Sequence, residues 1–188
     1  MDIIDKGTNN TIIGNIKGKV TIEGNNNKVI ADSQINNINF LIQGNNNIIH
    51  IKENVAIFKR MDVTITGNES KLEINRNTTM YQVYILINED RNKIKIGEDC
   101  MFSDNVRILA SDSHSIISTT TGKCINAHKD GVIIGNHVWI GMNALILKDV
   151  KIGDNSIVAA GTVVTYKKAE KNIIIAGNPC KKIKDGVT

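Results

Sequence analysis

From Ile134 onward the chain repeats every six residues. Aliphatic side chains stand at Ile134, Ile140, Ile146, Ile152, Val158 and Val164, and glycine follows at Gly135, Gly141 and Gly153. Four positions after each aliphatic residue comes a small or β-branched one: Val138, Ala144, Val150, Ser156 and Thr162. Such a stripe cannot lie on one face of an α-helix, where apolar residues return every three or four positions. A six-residue unit makes one short strand plus a turn, and three units close a triangular coil of roughly 18 residues. Coils stacked at the inter-strand spacing of about 4.8 Å would bury the recurrent aliphatic side chain and seat the small residue near a corner.

The same frame reaches back to Ile96, Phe102 and Ile108, with Cys100 and Val106 in the small position. Cys100 is therefore read as a core residue rather than a reactive thiol. Further upstream an Ile-x-Gly-Asn pattern recurs at Ile12-Gly14-Asn15, Ile22-Gly24-Asn25, Ile42-Gly44-Asn45 and Ile65-Gly67-Asn68. Glycine and asparagine tolerate the left-handed backbone that coil corners need, and stacked asparagines can hydrogen-bond from coil to coil. With 34 isoleucines, 25 asparagines, one proline and 4% aromatics, the chain suits turns and pleated backbone rather than helix. We expect an all-β parallel β-helix over 1–188: Asn-rich coils over 1–93 and regular hexapeptide coils over 94–166. An excursion loop over about 113–131 carries Thr119-Thr120-Thr121-Gly122, and a Lys-rich tail over 167–188 leaves the repeat.

The net charge of +4 is modest, and no basic patch is interleaved with stacking aromatics, so no nucleic-acid partner is expected. Three cysteines without paired spacing make a disulfide framework implausible and fit a reducing cytoplasm. The N-terminus lacks the charged and apolar regions of a signal peptide, and no apolar run approaches the ~20 residues needed to span a bilayer. The expectation is a soluble cytoplasmic protein without membrane insertion.

Several stretches carry a family resemblance. Ile134-Gly135-Asn136-His137-Val138-Trp139-Ile140-Gly141 resembles a signature of hexapeptide-repeat acetyltransferases. So do Val158-Ala159-Ala160-Gly161-Thr162-Val163-Val164-Thr165 and the later run from Ala176-Gly177-Asn178-Pro179 to Lys184. The C-terminal half is similar to the galactoside and maltose acetyltransferase branch. Ser111-Asp112-Ser113-His114-Ser115-Ile116 and the Asn-rich front half look closest to enzymes that O-acetylate bacterial surface polysaccharides. The resemblance implies a left-handed coil, a homotrimer with active sites in clefts between subunits, acetyl-CoA along each cleft, and a saccharide acceptor.

Attack of a hydroxyl on a thioester needs a base, and histidine suits that task near neutral pH. His114 opens the excursion loop and matches the family's catalytic position. Asp112 either orients the imidazole, as in other acid–histidine pairs, or caps the turn. Asn105 either contacts the acceptor or forms a corner, and the corner is preferred. The oxyanion is assigned to a backbone amide near Gly141. By resemblance, Met142 and Ala160 touch the pantetheine arm, and Thr165 and Tyr166 occupy the next contact pair. Tyr166 departs from the more usual lysine, so Lys167 is expected to supply the charge. Lys181 and Lys184 match two basic positions that meet CoA phosphates, acting as point charges. Trp139 lines the cleft or fills the interface, with the cleft preferred. His128 is placed near the acceptor and His137 on an outer face.

Three other readings of the same residues stand against this one. Some hexapeptide β-helices bind zinc through three histidines, and His114, His128 and His137 could supply a set, but their spacings of 14 and 9 do not resemble that family's close pair. No metal is therefore expected. N-acetylation of an amino sugar would use the same base, and a non-catalytic scaffold would have no reason to keep the donor motifs.

Overall fold

The structure, a computed structural model, describes residues 2–188. Every strand pairing is parallel until the last, and no helix occurs among the described residues, hence none long and apolar enough to cross a membrane. Each coil crosses three faces. Trp139–Ile140 belongs to the first face, with Met101 paired to Trp139, Trp139 to Ile157 and Ile157 to Ile174 on successive coils. The second face holds Val106–Leu109, Leu145–Ile146 and Val163–Val164, stacked in register. The third face is one sheet of seven strands, in which Ile96, Ile134 and Ile152 stack directly.

In the N-terminal half a single bent strand serves both the first and second faces. Thr79–Ile87 shows how the two halves join: Thr79–Met80 pairs with Met101–Phe102, and Val83–Leu86 pairs with Val106–Leu109. A continuous strand needs no tight corner there, so its small-residue position is relaxed and the six-residue period blurs.

The core is a column of aliphatic side chains along the axis, from Val20 and Ile22 through Ile85 and Ile87 to Ile146 and Val164, all fully buried. Each buried isoleucine contributes about 1.5–3 kcal/mol, but only while a neighbouring coil covers it. Close stacking also explains the glycines of the repeat. A methyl on Gly135 would sit 2.7 Å from the Asp154 nitrogen, and one on Gly153 would sit 2.2 Å from the Glu170 carbonyl.

Asparagine does the polar work of the corners, as expected. Asn27 and Asn47 are fully buried. Asn47 Nδ2 donates to the Gly67 carbonyl at 2.8 Å, while its Oδ1 accepts the Ser70 amide at 2.8 Å. A second, outer ladder runs from the Asn25 amide to Asn45 Oδ1, from the Asn45 amide to Asn68 Oδ1, and on to Asp90.

The tail does not leave the repeat at Tyr166. Ile173 and Ile175 are buried, and Ile173–Ala176 adds a final parallel strand to the first face. Lys181–Asp185 then folds back antiparallel on it and closes that edge. The lysine-rich composition hid these two inward isoleucines.

Candidate active site

The chain leaves the solenoid after Ala110, at the corner between the second and third faces, and rejoins it at Val132. Ser113, with φ of 67°, turns it outward. The excursion is a small hairpin bridged between Ile117 and Cys124, with its tip closed by the Gly122 amide on the Ser118 carbonyl. Its isoleucines, Ile116, Ile117 and Ile125, are exposed, so apolar burial does not hold it.

Polar groups hold the loop instead. Asn126 uses its whole amide: Oδ1 accepts the Ile116 amide at 2.6 Å, and Nδ2 donates to Asp112 Oδ2 at 2.8 Å and to the His114 carbonyl at 2.9 Å. From the next coil, Lys148 Nζ lies 2.5 Å from Asp112 Oδ2 and also donates to the Asn126 carbonyl. Lys148 is only 13% exposed. Its hydrogen bond is the main influence holding the Asp112 carboxyl below its ordinary pKa. Beside it, Asp149 accepts the Lys129 amide at 2.8 Å and the Asp130 amide at 3.0 Å. Burial pushes the Asp149 carboxyl up, but these backbone donors outweigh it and leave the group lowered.

His114 stands exposed at the start of this loop, in a pocket with Glu89, Ser115, Cys124 and Ala127. Asp112 does not reach its ring: the carboxylate is held by Lys148 and Asn126, so it positions the loop rather than the imidazole. The carboxylate that shares the histidine's pocket is Glu89. Its Oε1 accepts the Ser111 hydroxyl at 2.6 Å, and its Oε2 accepts the His128 amide at 3.3 Å. His128 Nε2 stands 2.9 Å from the Asp90 carbonyl and 3.8 Å from Glu89 Oε2. Asn105 is a corner, with φ of 53° and Nδ2 donating to Asn143 Oδ1. His137 is also an exposed corner, its ring against Asn155 Oδ1. Among the described residues His114, His128 and His137 do not converge.

Of the residues expected to meet the donor, Trp139, Met142 and Ala160 follow the first face and its corner from coil to coil, whereas Thr165 comes just after a strand of the second face. Trp139 and Met142 are half exposed on the first face and its following corner, and Trp139 Nε1 donates to Ser103 Oγ at 3.3 Å. Ala160 is exposed one coil further, where the Gly161 amide meets the Met142 carbonyl. Thr165 follows, exposed, its amide against Cys180 Sγ. The Gly141 amide is not free for an oxyanion, because it donates to the Val158 carbonyl at 2.8 Å. The ladder that stacks the coils takes that proton, and a methyl on Gly141 would meet the Ala160 nitrogen at 2.6 Å. The next amide, Met142, has no acceptor among the described residues.

Tyr166 donates its hydroxyl to Glu170 Oε1 at 2.6 Å. That bond, with Lys182 and Lys168, draws the Glu170 carboxyl down to about 2. Lys182 is neutralised by Glu170 and Asp185, whereas Lys167, Lys181 and Lys184 enter no ion pair among the described residues.

Trp139 and His114 lie far apart within one chain. The loop leaves at the corner opposite the first face, which carries Trp139, and their surface pockets share no residue.

The bacterial transferase hexapeptide (six repeats) model matches residues 131–166. The chain is 38% identical over 154 residues to the polysialic acid O-acetyltransferase of Neisseria meningitidis, covering 77% of this chain and 68% of that one. It is 34% identical over 146 residues to the galactoside O-acetyltransferase of Escherichia coli K12, covering 72% and 70% of the two chains. The chain belongs to the hexapeptide-repeat acetyltransferases. The crystal structure of the polySia-specific acetyltransferase NeuO superposes with a TM-score of 0.90 at 32% identity, covering 99% of this chain and 87% of that one. The polysialic acid O-acetyltransferase OatWY superposes at 0.75 with 34% identity, covering 100% and 90%.

As a hexapeptide-repeat acetyltransferase, the chain is an enzyme on a left-handed parallel β-helix that uses an acetyl donor. Sequence reasoning named His114 and the donor residues as candidates but passed over Glu89, Asn126, Lys148 and Asp149, which surround the loop. Glu89 falls one coil before Ser111, at a separation of 22 residues, and only the strand register reveals that. Lys148 and Asp149 fall at the corner positions before Val150, where polar residues such as Asn136-His137 and Asp154-Asn155 also stand, so the repeat carried no signal of their role.

Proposed function

We propose that this acetyltransferase moves the acetyl group of acetyl-CoA to a hydroxyl of a bacterial surface polysaccharide, with His114 as general base. The observation that carries the reading is an exposed loop histidine, held by polar clamps, on a chain that also presents Trp139, Met142 and Ala160 along the first face and its corner. Relatives that act on polysialic acid make an acidic capsule polysaccharide the first acceptor to test.

The acceptor oxygen attacks the thioester carbonyl as its proton passes to the His114 imidazole. The carbonyl electrons move onto oxygen, steadied by a backbone amide, for which Met142 replaces Gly141. Collapse breaks the C–S bond, and the imidazolium returns its proton to the departing CoA thiolate. Met142, Ala160, Thr165 and Tyr166 flank the pantetheine arm, and Lys167, Lys181 and Lys184 face the phosphates.

Because His114 and Trp139 lie on opposite sides of one chain, the reading places each active site between copies, in a cytoplasmic homotrimer. Surface character supports this assembly. The first face exposes Met101 and Trp139 and partly exposes Ile157 and Ile174, and the second partly exposes Leu86, Leu109, Leu145 and Leu147. The third face carries Lys71, Glu73, Lys93, Lys95 and Lys151, suited to solvent.

Acetyl transfer from acetyl-CoA to polysialic acid, followed with wild type and His114→Ala, tests the proposal. His114→Ala should lower kcat by about 10²–10⁴ while leaving donor binding and the melting curve unchanged. A variant with near-wild-type rate would refute the assignment of the base.

A further inference from the structure

The stem of the excursion loop is gripped from two sides in alternation. Asp112 meets Lys148 of the next coil. Ser111 and Ser113 meet the coil before, at the two residues that follow the strand Thr79–Ile87. Asn88 Nδ2 donates to Ser113 Oγ at 2.7 Å, and Ser111 Oγ donates to Glu89 Oε1 at 2.6 Å. The Ser113 amide donates to Ser111 Oγ at 2.9 Å, so that hydroxyl accepts from the loop and commits its one proton to Glu89.

Glu89 is thereby fixed without a cation. Its other oxygen accepts the His128 amide at 3.3 Å, while the His128 ring directs Nε2 to the Asp90 carbonyl at 2.9 Å. No lysine or arginine of the described residues pairs with Glu89, whose side chain is 30% exposed. The charges nearby are engaged elsewhere: Lys148 with Asp112, Asp149 with the amides of Lys129 and Asp130, and Asp90 with Asn68. Cys124 is the remaining titratable side chain that lines the pocket. A partly enclosed carboxylate held by neutral donors is an anion whose field meets no fixed counterpart.

One positive charge does arise beside it. When the acceptor hydroxyl gives up its proton, His114 becomes an imidazolium in the pocket that Glu89 lines. Donor and acceptor displace water from that pocket as they bind, and attraction between the two charges strengthens as water leaves.

We propose that Glu89 acts through His114 as a positioning residue: its carboxylate, fixed by Ser111 and His128, stabilises the imidazolium that forms during transfer. Glu89 stays ionised throughout and takes no proton. The inference rests on the acetyltransferase reading above and supplies the acidic partner that Asp112, held by Lys148, does not.

The test is the pH dependence of kcat, with acetyl-CoA and polysialic acid saturating, for wild type, Glu89→Gln, Glu89→Asp and Ser111→Ala. Glu89→Gln keeps an oxygen for the Ser111 hydroxyl and deletes only the charge. Its plateau kcat should fall about tenfold and its acidic limb should move down by about one pH unit, since one unit corresponds to a factor of ten. KM for both substrates should stay within about twofold. Glu89→Asp, which keeps the charge, should leave the limb at the wild-type position. Ser111→Ala loosens the same contact without removing the charge, so it should lower kcat with the limb unmoved, as any merely structural change would. A Glu89→Gln limb at the wild-type position, or equal shifts in Gln and Asp variants, would overturn the proposal. Failure of the functional reading looks different: wild type itself would transfer no acetyl to any saccharide, and Glu89 would have no imidazolium to face.

Discussion

Lys148→Met keeps the length and apolar stem of Lys148 and deletes only the ammonium. That group touches the Asp112 carboxylate at the start of the excursion loop and the Asn126 carbonyl near its end. Asp112 is 39% exposed, so solvent screening limits the ion pair to about 1 kcal/mol. The Asn126 carbonyl loses its donor, worth about 1 kcal/mol more. Together they shift the balance between docked and open loop by about 2 kcal/mol, a factor of about 30. Because His114 must stand within hydrogen-bond reach of the acceptor, kcat should fall by about ten- to thirtyfold. The loop stacks between no coils, so the melting temperature should move by less than about 2 °C.

A double-mutant cycle with Asp112→Asn sharpens the test, since two groups that act through one contact do not add. Acid offers an independent measurement. Lys148 holds the Asp112 pKa low, so its stabilisation is complete above the unfolded carboxyl value of about 3.9 and fades as pH falls through the lower folded value. The wild-type loop should therefore stay docked through mildly acidic pH, as read by proteolysis at Lys123, while Lys148→Met is cut at every pH. A Lys148→Met rate within about twofold of wild type, or full additivity with Asp112→Asn, would refute the clamp.

Asn47→Ala should strip the Gly67 carbonyl and the Ser70 amide of their buried partners, lowering stability by about 2–4 kcal/mol on urea denaturation without changing low-temperature activity. Burial pushes the Cys100 thiol up to about 11, whereas the Asn126 amide draws exposed Cys124 below its ordinary value. A thiol reagent at pH 8 should thus label Cys124 first and Cys100 only after unfolding. Lys181→Ala and Lys184→Ala should each weaken acetyl-CoA binding by about threefold in calorimetry at low salt, and less at high salt. Lys182→Ala, whose charge is already matched by Glu170 and Asp185, should leave donor binding unchanged.

Much of the fold was legible because hexapeptide stacking leaves no freedom: Ile96, Ile134 and Ile152 must recur where one coil sits on the next. The Asn ladder was legible for the same reason, since Asn47 bonds both the coil before it and the coil after it. Local chemistry misled where composition outweighed register. Six lysines after Tyr166 concealed Ile173 and Ile175, two inward positions that carry the stack one face further.

The site divides along the same line. His114 and the donor residues stand in stretches that resemble the family's motifs, so their assignment rests on that resemblance and not on the repeat alone. The partners of Asp112 follow from neither, because the loop's return path brings Asn126 back against residues that precede it by 14. Among the carboxylates, Asp112 alone was weighed from the sequence, either as the group that orients the imidazole or as a turn cap. Lys148, nearly enclosed, needs an anion close by or its own burial is unfavourable, and Asp112 is the carboxylate within reach. That pairing leaves Glu89, one coil earlier, as the acid in the His114 pocket. The division of roles therefore comes from where the buried cation sits, not from sequence distance to the base.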